Sequence, residues 1–181
     1  MSENMYINTK MDGFSIIELM ITLVVAAILL SIAAPSFRDI IQDNRLTTEI
    51  NSLSASLNLT RSEAIKRGTP ATLCKSNDSV NCVATANWHD GWLVFDDIDG
   101  DGSLDSGETI LRVVNGLTPG TTLIFVSGSN SVTYDPTGFY TGGNDTFRLC
   151  DSRGLASAKG LVISNSGRVR TANAGDLASC P

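Results

Sequence analysis

The stretch GFSIIELMITL, residues 13–23, opens an apolar run that continues as VVAAILLSIAA to Ala34. From Phe14 to Ala34 a single charge, Glu18, interrupts it. A helix rises 1.5 Å per residue, so about 20 such residues cross the hydrocarbon of a bilayer, and the run is expected to form a membrane helix over residues 14–34. A secretory signal peptide would put its small-residue cleavage site after the apolar stretch. Here the order is reversed, with the polar stretch Met1 to Gly13 in front and only the Ala33-Ala34-Pro35 corner behind. An ionised carboxylate in hydrocarbon costs about 2.5–3.5 kcal/mol, so Glu18 needs a cationic partner.

Beyond the run, Pro35 lacks an N–H and is expected to kink or break the helix where the membrane segment ends. Apolar residues then return at Leu46, Ile50, Leu53, Leu57, Ala64 and Ile65, mostly three or four apart, with Arg45, Glu49, Arg61, Glu63 and Lys66 between them. That spacing predicts an amphipathic helix over residues 35–68 whose apolar stripe lies on a sheet. Gly68 followed by Pro70 stops it, and Lys66 and Arg67 suit its C-terminus. The chain therefore divides into residues 1–13, 14–34, 35–68 and 69–181.

From Ala71 onward the texture is one of short β-rich runs bounded by Gly, Asn, Asp and Ser. ATLCK, WLVF, TILRVV, TTLIFV, SVTYD, TFRLC, GLVIS and RVRT read as strands, and no helix-length period follows Arg67. A long helix against an antiparallel sheet or small sandwich is an α+β fold. The balance over all 181 residues, 42% apolar and 18% charged with a formal charge of −6, excludes a disordered chain, a collagen-like repeat and a uniformly basic nucleic-acid binder. No P-loop, G-x-S-x-G or H-E-x-x-H occurs. His89, the sole histidine, sits between two tryptophans with no nucleophile motif to serve, so no enzyme is expected.

All four cysteines lie beyond the apolar run, without CxxC spacing, which favours disulfides and an oxidising compartment. Three connectivities exist. The most economical joins Cys74 to Cys82 and Cys150 to Cys180, the second tying the tail back to the sheet. The loop DIDGDGSLDSGE places Asp97, Asp99, Asp101, Asp105 and Glu108 at positions one, three, five, nine and twelve of the calcium-loop pattern, with Gly102 at its sharp turn. Seven acids and no base lie between Asp90 and Glu108, a crowding that a cation would relieve. The flanks read as strands where that pattern has helices, so the same residues also suit a solvated hairpin turn.

Near the end, residues 148 to 181 hold Arg148, Arg153, Lys159, Arg168 and Arg170 against Asp151 and Asp176, a local net charge of +3. In an extended GRVR segment, Arg168 and Arg170 fall on one side. A basic patch on an acidic chain points to a polyanionic partner.

The GFSIIELMITL block resembles the prepilin signature of type IV pilins and type II secretion pseudopilins. With the WHDGWLVFD segment (Trp88 to Asp96) and the C-terminal GRVR, the whole chain resembles the FimT/GspH family of minor pilins, most of all its FimT members. The resemblance implies a type IV pilin-like fold and cleavage by prepilin peptidase between Gly13 and Phe14. It implies N-methylation of Phe14, a role for Glu18 in assembly with other major and minor pilins, and no general metal at the acidic loop. It also implies residence in the inner membrane with the domain in the periplasm, then in the pilus at the cell surface. In FimT-like proteins the GRxR arginines are associated with DNA capture in natural transformation. Arg168 and Arg170, helped by Lys159 and by Arg148 or Arg153, are then expected to bind DNA without sequence preference. The alternative is a structural GspH-like pseudopilin that contacts only protein neighbours.

Overall fold

The computed structural model describes residues 13–180, in which a single helix, α1, runs from Ile16 to Arg67. The expected leader lies outside the described residues except for Gly13. The chain divides into two units between Gln42 and Asp43. In the first, every described side chain from 13 to 34 is exposed, and among the described residues α1 is the one helix long and apolar enough to cross a membrane. Of the kink or break expected at Pro35, the break does not occur, since the helix runs on through it. Proline's fixed φ is itself helical, and the one bond it removes leaves the turns on either side intact.

In the second unit, α1 buries Leu46, Ile50, Leu53, Leu57 and Ala64. Ile65, expected on the same stripe, is about half exposed, because a helix cannot turn two successive residues to one face and Ala64 takes the inner position. Ser56 and Thr60 complete the stripe although they are polar. Their hydroxyls donate to the carbonyls of Ser52 (3.0 Å) and Ser56 (2.8 Å), which satisfies them inside the core. Ser56 Oγ also accepts the Trp92 indole N–H at 2.9 Å. Glu49, expected in solvent, is buried instead, and its Oε1 accepts the Thr118 amide at 2.9 Å. Gly68 ends the helix with φ +69°, its N–H bonded to the Ala64 carbonyl at 3.0 Å.

All eight expected strands are present, with ends that differ by a residue or two: β1 (Ala71–Lys75), β2 (Gly91–Asp96), β3 (Ile110–Asn115), β4 (Thr122–Phe125), β5 (Ser131–Tyr134), β6 (Asp145–Cys150), β7 (Lys159–Ile163) and β8 (Val169–Thr171). They form two antiparallel four-stranded sheets, in the orders β3-β2-β1-β5 and β4-β6-β7-β8. One core joins the helix stripe to Leu73, Trp92, Val94 and Val132 of the first sheet and Phe125, Phe147, Leu161 and Ile163 of the second. Each fully buried leucine there contributes about 1.5–3 kcal/mol. Trp88, in the short 3₁₀ turn before β2, sits edge-on to Phe147 (4.9 Å between centroids) and Phe125 (5.9 Å), linking the two sheets.

β2 is buried on both faces. Trp92 and Val94 face the main core, whereas Leu93 and Phe95 meet Cys74, Cys82 and Leu104 on the other side. That second cluster exists because the Cys74–Cys82 disulfide (S–S 1.99 Å) and the acidic loop between β2 and β3 close over the sheet. The second disulfide joins Cys150 to Cys180 at 2.01 Å.

Candidate nucleic-acid interface

The GRVR segment forms the outer arm of the β7–β8 hairpin, at the open edge of its sheet. Its turn is closed by Gly167 N–H to the Ser164 carbonyl (2.8 Å) and Ser164 N–H to the Arg168 carbonyl (3.0 Å). Gly167 is buried with φ +74°, and a Cβ there would lie 1.9 Å from the Gly138 carbonyl oxygen, so only glycine lets the turn dock. The docking partner comes from α1. Arg61 donates from Nε to that Gly138 carbonyl at 2.9 Å and from Nη2 to the Ser166 carbonyl at 3.2 Å. Spacing alone had placed Arg61 among the solvated residues of the helix, and no local signal tells a clamp from a surface arginine.

Beyond the turn, Arg168 and Arg170 are both exposed. With Val162, Ser164 and Ser166 they line one shallow concavity of about 310 Å³. Arg168 makes no ion pair among the described residues. Arg170 is held by Asp176, whose two oxygens accept from Nη1 (2.8 Å) and Nη2 (3.2 Å), and Nη1 also donates to the Thr171 carbonyl. The ion pair raises the Arg170 pKa. Asp176 falls below its ordinary value, first through Arg170 and then through the Asn173 amide. Asp176 thereby ties a 3₁₀ turn (Ala174–Asp176) to the hairpin, and the Cys150–Cys180 bond fixes the tail that follows.

The other basic residues separate. Arg148 pairs with Ile124 and Gly160 in register, and Val162 pairs with Arg170, so strand alternation puts Arg148 on the same face as Arg170. It lies on a central strand, however, and is 9% exposed. Its buried Nε has no hydrogen-bond partner among the described residues, so Arg148 is not the solvent-facing cation expected. Lys159, at the start of β7, alternates to the opposite face from Val162 and is half-buried. Arg153 is engaged by Asp151 (2.7 Å) and by Asp43 of α1 (2.9 Å). Burial pushes the Asp151 carboxyl up, but the hydrogen bonds and charge of Arg153 outweigh it and hold that pKa below its usual value. The +3 counted along the chain therefore does not gather on one rim: there Arg168 stands without an ion pair among the described residues and Arg170 is paired with Asp176. His89 has no role in this rim and is half-buried beside the packed Trp88.

The acidic residues lie on the other sheet, in the loop from β2 to β3. Carboxylate oxygens of Asp97, Asp99 and Glu108 come within 4.8 Å of one another, as do those of Asp99, Asp101 and Asp105. Strands flank the loop on both sides, as the sequence indicated.

Residues 49–167, more than half of the chain, match the family model of the type II transport protein GspH. The chain belongs to the GspH family. The prokaryotic N-terminal methylation motif matches residues 8–34, a span that includes Gly13, Phe14 and Glu18. Among solved structures, the type IV minor pilin FimU of Pseudomonas aeruginosa is similar at 22% identity and TM-score 0.58, covering 77% of this chain and 95% of its own. The minor pseudopilin EpsH from the type 2 secretion system of Vibrio cholerae is similar at 14% identity and TM-score 0.51, covering 72% and 98%. Both likenesses are of fold. No curated protein sequence matches significantly. This GspH-family chain thus has the type IV pilin-like α+β fold.

Proposed function

We propose that this minor pilin binds extracellular DNA along the rim formed by Arg168 and Arg170, without sequence preference, as a step in DNA uptake. The observation that carries the reading is the pair of exposed guanidinium groups lining one concavity on a rigidly held edge strand. Guanidinium forks suit phosphate oxygens, and an edge strand leaves open space for a duplex. Asp176 takes both Nη atoms of Arg170, so Arg168 is the guanidinium left to make the first phosphate contact and a phosphate must compete with Asp176 for Arg170. In this reading prepilin peptidase cuts after Gly13, Phe14 is N-methylated, and Glu18 pairs with a Phe14 amino group when the helix packs among other pilins. The domain then sits in the periplasm while the helix remains in the inner membrane, and reaches the cell surface in the pilus.

The test is a titration of labelled random-sequence duplex with the full chain in detergent micelles at several salt concentrations. Two phosphates neutralised, one by each arginine, predict a slope of log affinity on log salt of about −2. The variant Arg168→Gln/Arg170→Gln is expected to lose most of that affinity and slope while keeping its circular dichroism, both side chains being exposed. Unchanged affinity and slope in the variant would overturn the DNA reading. A wild-type chain with no affinity for the duplex would leave the arginines as charges that block edge-to-edge strand pairing in a structural subunit.

A further inference from the structure

We propose that the loop between β2 and β3 is a calcium site in which Asp97, Asp99, Asp101, Asp105 and Glu108 hold one ion, with Asp97 as its buried floor. The proposal is independent of DNA binding and concerns the opposite sheet. Its first support is the spacing, which puts acids at positions one, three, five, nine and twelve around Gly102. Spacing and acidity alone describe many turns. The second support is the state of Asp97. Its side chain is fully buried, and Oδ2 accepts from the Thr72 hydroxyl at 2.5 Å and the Gly102 amide at 3.0 Å. Oδ1 is equally buried and has no hydrogen-bond partner among the described residues. A buried carboxylate oxygen without a donor is costly, and a buried charge is normally paired or bound to a metal.

No base fills that need. Among the described residues none of the five carboxylates makes an ion pair, not even with Arg112 four residues beyond Glu108, and Arg67 is committed to Glu63 and Asp96. Asp96 itself is taken by Arg67 and by the Thr109 amide, so it belongs to the scaffold and not to the cluster. Asp99 is common to the two groups of converging oxygens, so it stands between the buried Asp97 with Glu108 on one side and Asp101 with Asp105 on the other. All the ligand atoms on offer are hard oxygens, with no His or Cys, which selects calcium or magnesium over zinc or copper. A loop with ligands from five side chains suits the larger, more irregular shell of calcium, whereas magnesium demands near-octahedral geometry and keeps its waters.

The floor is rigid. Thr72 has one hydroxyl proton and gives it to Asp97, so Thr133, 2.7 Å away, must donate to Thr72. That chain roots Asp97 in β1 and β5. Gly102, at φ +80°, supplies the sharp turn, and Leu104 packs onto the cluster of Leu93 and Phe95 behind the loop. The rim, by contrast, is open to solvent, with Asp99, Asp101 and Asp105 exposed and Asp99 and Asp101 accepting only the loop amides of Asp101 and Ser103. A single loop between strands, without the paired partner of sensor proteins, predicts a dissociation constant of about 10⁻⁴–10⁻³ M, the range of extracellular modules. Two disulfides place the domain in the same kind of oxidising compartment.

The experiment uses the full chain in detergent, stripped with a chelator and titrated with calcium chloride, with magnesium chloride in parallel. Calorimetry is expected to read one calcium per chain, and the melting temperature to climb with calcium concentration but not with magnesium. In the variant Asp101→Asn/Asp105→Asn, whose changes lie on the exposed rim, the metal-free melting temperature is expected to stay put and calcium affinity to fall at least about tenfold. Asp97→Asn is expected to abolish binding, and the rim variant keeps the test decisive if that buried change unfolds the protein. Three results would each overturn the proposal: no saturable binding up to about 10 mM calcium, well above the predicted range, equal response to magnesium, or undiminished affinity in the rim variant.

Discussion

Asp176 sets the charge of the candidate rim as much as the arginines do. Its carboxylate takes both Nη atoms of Arg170 and the Asn173 amide, and its pKa is depressed accordingly. A depressed carboxyl stabilises the folded tail fully above its unfolded pKa of about 3.9, and that contribution disappears as pH falls through the lower folded value. The Asn173 amide chemical shift, followed by NMR on lowering the pH from neutrality, is therefore expected to hold steady past the ordinary aspartate range and to move only below it. A midpoint at or above about 3.9 would show that the pair does not hold in solution. None of this was available from position: Asp176 follows Arg170 by six residues across a turn, and it is the hairpin and the 3₁₀ turn that bring them to 2.8 Å.

At the scale of elements, the β7–β8 hairpin is only as well placed as its hold on the helix. Arg61 supplies that hold with two hydrogen bonds to backbone carbonyls 77 and 105 residues away. Replacing it by Met keeps much of the apolar stem and deletes both donors. The expected cost is about 1–2 kcal/mol, since bonds from charged donors are worth about 1.5–3 kcal/mol before the partial exposure of this side chain is discounted. Thermal melting is expected to shift down, and the Gly167 amide to exchange faster with solvent. Unaltered exchange would mean that the glycine's fit against Gly138 alone holds the turn.

For the molecule as a whole, the two sheets and the helix share one core, and the C-terminal tail is outside it, its Leu177 being buried beside Gly160 of β7 instead. The Cys150–Cys180 bond spans 30 residues and restricts the unfolded chain by about 3–4 kcal/mol on the chain-entropy model. The double variant Cys150→Ser/Cys180→Ser is expected to melt roughly 10 °C lower. If the rim binds duplex as proposed, that affinity is also expected to change, because Asp176 and Arg170 lose their common anchor. A melting temperature within 2 °C of wild type would mark the tail as self-supporting, a margin smaller than about 1 kcal/mol would produce.

The sequence by itself determined what depends on neighbours along the chain. The apolar run from Phe14, the three-to-four spacing of Leu46 through Ala64, the Gly68 stop and all eight strands are local patterns of period 3.6 or two, and each was legible. The long-range disulfide pairing was one of three that the cysteines allowed, and the fold settled it by setting Cys150 and Cys180 with their Cα atoms 5.9 Å apart. Tertiary structure alone decided which charges count. Arg148 and Arg153 entered the basic tally as equals of Arg168, yet a central strand buries one and two aspartates engage the other. Glu49 read as a polar residue between the apolar positions of the helix and Asp97 as either a calcium ligand or a residue of a solvated turn, and both lie inside. The reason is physical: periodicity reports which way a side chain points from its own backbone, whereas its solvation and partners depend on segments folded against it from far along the chain.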